Sequence, residues 1–193
     1  KIGKCQKNGT AITFEPDPEI FTDKNTGKIP DYDWKRILER MRQQAYLTKG
    51  IKISVHDERL KEKSEHKSYA FYFEGGVASY VAYLNEDMQA KHDSIFYVNR
   101  EVENIFVEIG LQYVDDLQAR EFAFANNILN MEGGMHLTGF RTSLTRVLNS
   151  YARKNGYLKE SDENLTGEDV REGLTTVISV KLKNPQFEGQ TKA

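Results

Sequence analysis

The chain of 193 residues is 38% apolar, 29% charged and 11% aromatic, which is enough apolar material for a core and rules out a disordered chain. Lys and Arg number 27 against 29 Asp and Glu, a net charge of −2, so contact with nucleic acid must come from a local patch and not from a global basic excess. Mean hydropathy is −0.65 and no apolar run approaches the ~18 residues of a membrane span, while the single cysteine, Cys5, excludes an intrachain disulfide framework and fits a reducing, cytoplasmic setting.

The sequence begins at Lys1 with neither methionine nor secretory pattern and stops at Gln190-Thr191-Lys192-Ala193, which reads as a piece cut from something longer. Residues 9–14 (GTAITF) predict a short strand closed by Pro16 and Pro18, since proline lacks the N–H that a ladder needs. A polar loop follows to residue 32. Asp33 is placed to cap a helix reaching about Lys49, with Trp34, Ile37, Leu38, Met41 and Ala45 on one stripe and Gly50 as its stop. Ile51, Ile53 and Val55 alternate with polar residues, as do Tyr69, Phe71 and Phe73, predicting two paired strands around a charged turn.

Glu74-Gly75-Gly76 marks a junction between two units, and Val77, Tyr80, Val81 and Leu84 then predict a helix. Residues 95–98 read as a strand. Ile105, Val107, Ile109, Leu111 and Tyr113 alternate cleanly, Asp115-Asp116 make a turn, and residues 122–126 are expected to return as the hairpin partner. The strongest helical pattern covers residues 136–154, where Leu137, Phe140, Leu144, Val147, Leu148 and Tyr151 occupy about 100° of arc. Asn155-Gly156 ends it. Thr166-Gly-Glu-Asp169 has capping-box spacing, Gly173 closes that short helix, and residues 174–182 (LTTVISVKL) are rich in strand formers.

His56, His66, His92 and His136 show no metal-ligand spacing, and no P-loop, G-x-S-x-G or H-E-x-x-H motif occurs. Gly75-Gly76 and Gly133-Gly134 each precede a helix; such a pair can seat a phosphate on free N–H groups, or simply let the chain turn from strand to helix. On the long helix Arg146 and Arg153 lie opposite the apolar stripe and Arg141 at its edge, stem packed and guanidinium towards solvent. These arginines suit either phosphate contact or a solvated face. The tail Phe187-Glu188-Gly189-Gln190-Thr191-Lys192 carries a lysine beyond a hinge glycine, which suits an anionic ligand or a frayed end.

Three runs carry a resemblance: EGGMHLTGFRTSLTRVLNSYARKNGYLKE, NLTGEDVREGLTTVISVKL and PQFEGQTK. With GTAITFEPDPEIF and FYFEGGVASYVAYLN upstream, they resemble, in order and over essentially the whole chain, the ATPase half of bacterial type IIA topoisomerase B subunits. Of the two paralogous families, Glu74-Gly75-Gly76 and Phe124-Ala125-Asn126-Asn127 look more like the B subunits of DNA gyrase than their topoisomerase IV equivalents. Met135 stands where the family usually has threonine, and Leu129-Asn130 where it has Asn-Thr.

The resemblance implies an α+β chain. Residues 1–74 would be an incomplete GHKL-type ATPase sandwich segment, and residues 75–193 a transducer domain with a left-handed βαβ crossover ending at the Gln-Thr-Lys loop. It also implies site residues: Thr10, Gln190 and Lys192 for ATP, and Arg141, with Arg146 and Arg153 beside it, for the cavity through which DNA passes. Catalytic residues and the ligands of Mg would lie outside this chain, which alone would be inactive as an ATPase. Implied partners are ATP, a second B subunit, the gyrase A subunit and double-stranded DNA. A different reading is a free-standing α+β nucleic-acid-binding module built on the arginine helix.

Overall fold

The computed structural model describes residues 8–60 and 62–186, apart from the side chain of Lys63. The chain divides into two compact units between Ile37 and Leu38. In the first, residues 8–17 adopt neither helix nor strand, contrary to the strand expected over 9–14. Ile12 and Phe14 are 82% and 73% exposed. A strand is stable only where a neighbour accepts its N–H groups, and among the described residues none pairs with this stretch. Asp17 caps the single turn α1 (Pro18–Phe21) by accepting from the Glu19 N–H at 2.9 Å. Asp33 does the same at the start of α2 (Trp34–Leu47), accepting from the Arg36 N–H at 3.1 Å.

In the second unit, the end of α2 buries Ala45, Tyr46 and Leu47. Strands β1 (Ile53–Asp57) and β2 (Lys67–Phe71) pair antiparallel, Val55 opposite Tyr69, as the alternation predicts. Helix α3 (Gly76–Leu84) follows. Strands β3 (Phe96–Val102) and β4 (Ile105–Tyr113) form a hairpin through Glu103-Asn104, both with positive φ, the signature of a two-residue reversal.

Strand β5 (Arg120–Ala125) does not return against β4. It pairs with the short β6 (Ile128–Leu129) and lies parallel to β7 (Leu174–Lys181), which inserts between it and β4, giving the order β3-β4-β7-β5-β6. The expected hairpin is therefore two strands of one sheet separated by the last described strand. The connection from β5 to β7 contains α4 (Gly134–Lys154) and α5 (Gly167–Arg171), which makes a βαβ unit.

Alternate residues of β5 and β7 point to opposite faces, so the sheet has two cores. On one face Phe124 and Val177 pack with Tyr46, Leu47, Val77, Tyr80 and Val81 of α2 and α3. The Tyr46 ring stacks on Phe73 at 3.7 Å, and burial pushes its hydroxyl up to about 12. On the other face Ala123, Ala125, Ile178 and Val180 meet Leu137 and Phe140 of α4. Further along α4 the packed face rotates from the apolar stripe towards Asn149 and Ala152, leaving Val147 and Tyr151 57% and 58% exposed. The second half of α4 packs against the segment leading into α5 through Asn149 and Arg153.

Candidate functional site

Asn149 is the hinge of that packing. It is 8% exposed; its Nδ2 donates to the Leu165 carbonyl at 2.9 Å and to the Thr145 carbonyl at 3.0 Å, and its Oδ1 accepts the Leu165 N–H at 2.8 Å. One buried amide thus satisfies both polar groups of a loop residue, as a strand partner would. Arg153 fastens the loop further out, donating to the carbonyls of Lys159 (2.8 Å) and Asp162 (2.9 Å) and twice to Asn164 Oδ1. Thr166 and Asp169 form the reciprocal capping box that starts α5. At Gly167 an added Cβ would lie 3.0 Å from Arg171 Nη1, so the absent side chain leaves room for that guanidinium.

The result is a groove of about 600 Å³ between α4 and α5. Arg141, Arg146, Arg153 and Arg171 line it together with Thr142, Ser150 and other uncharged residues, and no described carboxylate does. The sequence pattern names three of these arginines. Arg171 and Asn149 are legible only once the capping-box helix folds back onto α4; their signal in the sequence is the box itself, which fixes where the next turn points.

The four cations are not equivalent. Arg141 is ion-paired with Glu121 on β5 (Nη2 to Oε2, 2.5 Å; Nε to Oε1, 3.0 Å), and these hydrogen bonds hold its proton more tightly than usual. Arg153 spends its donors on neutral acceptors, so its charge stays uncompensated. The side chains of Arg146 and Arg171 make no hydrogen bond or ion pair with any described residue. Fixed positive charge in a concave surface lined by no described carboxylate raises the local concentration of anions, with Arg141 already offset by Glu121.

The glycine pairs do something plainer. At Gly76 (φ 58°) the position of an added Cβ falls 3.0 Å from Glu108 Oε1, so a carboxylate already faces the start of α3, where a phosphate would be repelled. Gly133 and Gly134 both have positive φ and serve the entry into α4. Among the described residues no group of three metal-ligating side chains comes together. Thr10 is exposed in the irregular stretch of the first unit. Gln190, Lys192 and Cys5 lie outside the described residues. No helix among those described is long and apolar enough to cross a membrane.

Residues 76–193 match the family model for DNA gyrase B. The chain is 51% identical over its whole length to the DNA gyrase B subunit of Clostridium acetobutylicum, and 47% identical over 99% of its length to that of Halalkalibacterium halodurans. It spans 29% of the length of each, less than a third. The fold is similar to the 43K ATPase domain of Thermus thermophilus gyrase B, solved in complex with an aminocoumarin (TM-score 0.75, 38% identity, 91% of this chain and 45% of that one). It is also similar to the ATP-binding domain of Francisella tularensis topoisomerase IV (TM-score 0.66, 84% of this chain and 42% of that one), where 23% identity shows the fold alone.

Proposed function

The chain belongs to the DNA gyrase B family, and we propose that within a whole, cytoplasmic B subunit it senses ATP and relays that state to DNA strand passage and supercoiling. In this reading residues 1–74 close the GHKL ATPase domain and residues 75–193 are the transducer. Thr10 hydrogen-bonds the adenine end of ATP. Lys192, with Gln190 beside it, places a cation against the terminal phosphoryl oxygens. When that group leaves, the segment loses its anchor, and the angle between the domains can change. The general base and the Mg ligands come from residues outside this chain, so the chain alone does not hydrolyse ATP. A second B subunit, the A subunit and duplex DNA complete the assembly.

The observation that carries the DNA side is the groove with four arginines and no described carboxylate. A duplex is a line of phosphates, and cations held on a rigid helix contact them without reading sequence. The test uses the full-length B subunit with its A subunit. Replacing Arg146 and Arg171 together by alanine is expected to weaken DNA binding and to reduce the slope of log affinity against log salt by about 2. An unchanged slope sinks the assignment. Lys192→Ala is expected to abolish ATP turnover and supercoiling, and unchanged rates would remove that lysine from the relay.

A further inference from the structure

The turn between β5 and β6 is tied in two directions. Asn126 and Asn127 both have positive φ, 47° and 64°, conformations that asparagine tolerates better than most residues. Towards the sheet, the Asn126 side chain behaves like one more peptide of the ladder. Its Nδ2 donates to the Leu182 carbonyl at 2.9 Å, its Oδ1 accepts the Leu182 N–H at 2.9 Å, and its backbone N–H donates to the Val180 carbonyl at 2.8 Å. The pairing thus continues one residue past the end of β7. Towards α2, Asn127 Nδ2 donates to Thr48 Oγ1 at 3.0 Å and the Asn127 carbonyl accepts from Gln44 Nε2 at 3.0 Å. A parallel strut links the same two elements directly: Lys181 Nζ, above the Phe106 ring, donates to the Leu47 carbonyl at 3.3 Å. That carbonyl lies in the last turn of α2, where helical acceptors lack partners and a cation is favoured.

Apolar packing alone tolerates small rotations of a helix over a sheet, whereas directional hydrogen bonds to backbone groups do not. We propose that the Asn126-Asn127 turn is the joint that fixes the C-terminal end of α2 against the C-terminal end of β7, with both asparagines acting as positioning residues for the segment into which β7 leads. Its role in the enzyme rests on the proposed ATP relay, in which α2 stands on the nucleotide side and β7 on the transducer side; the turn is then where nucleotide state crosses between them. Neither asparagine touches ATP or DNA in this scheme. They act through the register they impose.

Two experiments separate the joint from the relay. The first is amide hydrogen exchange on the 193-residue chain carrying Gln44→Ala or Asn127→Gly. Glycine keeps the positive φ and deletes only the amide. Neither replaced side chain bonds Leu182, so a joint predicts faster exchange at the Leu182 N–H, by about 3- to 30-fold, with Ile178 in mid-strand unchanged. No change at Leu182, or equal acceleration at both amides, overturns the proposal. The second is ATP turnover by the full-length protein. Thr48→Val and Asn127→Gly should each lower kcat with KM within about twofold, and the double variant should match the stronger single one. Additive losses, or losses confined to KM, overturn the positioning role. If Lys192→Ala leaves turnover intact while the exchange result holds, the lysine's role falls and the joint stands.

Discussion

The pair Arg141–Glu121 is lopsided, and the asymmetry sets what each mutation does. Glu121 is 8% exposed at its side chain and Arg141 is 41% exposed. Removing the arginine strands a carboxylate in the protein, so Arg141→Met should cost about 2 kcal/mol in urea unfolding, below the figure for wholly buried pairs. Glu121→Gln leaves a guanidinium that can reach solvent, and should cost under about 1 kcal/mol. The same change frees Arg141 towards the groove, so in the full-length protein DNA affinity should rise, more at low salt than at high. Titration follows a similar local logic at His136, which is half-buried and whose pKa burial lowers from 6.5. The unfolded chain then binds the proton more readily than the folded one. Stability is complete above pH about 6.5 and is lost as pH falls from there through the lower folded value. His136→Leu should flatten that acid-side slope in denaturant melts taken across pH 5 to about 7.

Among the elements, α5 and the loop before it depend on a few polar contacts more than on apolar burial. Asn149→Leu removes the donor and acceptor that serve the backbone of the partly exposed Leu165, a loss of about 2 kcal/mol measurable by urea unfolding. It should also weaken DNA binding, because Arg171 is held opposite α4 by the same segment. The periodicity of residues 136–154 marks α4 clearly, but not that its inner face turns towards Asn149 halfway along; a buried asparagine in a helix is indistinguishable from a solvated one until its loop partner is known. Strand positions are legible for the same reason helices are. Period-2 alternation over 105–113 gives β4 to the residue, yet alternation carries no information about which strand lies alongside, and so the adjacent run 120–125 looks like its hairpin partner. The clue to the sheet order is β7 itself. Leu174 to Val180 are all buried, polar Thr175, Thr176 and Ser179 included, as befits a central strand covered on both faces. The irregular stretch at 9–14 has strand composition without a partner, and composition cannot supply one.

For the whole molecule, the order β3-β4-β7-β5-β6 puts the last described strand in the middle of the sheet. β4 and β5 have no ladder contact without it, and both cores draw residues from it: Val177 on the α3 face, Ile178 and Val180 on the α4 face. The local hairpin β3–β4 needs no other strand to pair, but neither half of the sheet is completed until the distant β7, ending at residue 181, joins β4 to β5. Gly173 sets the entry of β7. It has φ 69°, and a Cβ there would fall 2.4 Å from the Val114 carbonyl oxygen, on backbone that cannot move without breaking the Val114 N–H bond to the Gly173 carbonyl at 2.9 Å. Gly173→Ala combines a strained backbone with a collision against the main chain, and should cost well over about 2 kcal/mol. Because that cost falls on the strand that joins β4 to β5, it should appear as loss of the whole sheet and not as local fraying. Circular dichroism and near-ultraviolet aromatic signals should collapse together in one transition at lower urea than in the parent chain. A variant that kept its near-ultraviolet signal while losing only part of its strand content would show that the two halves of the sheet stand independently of β7.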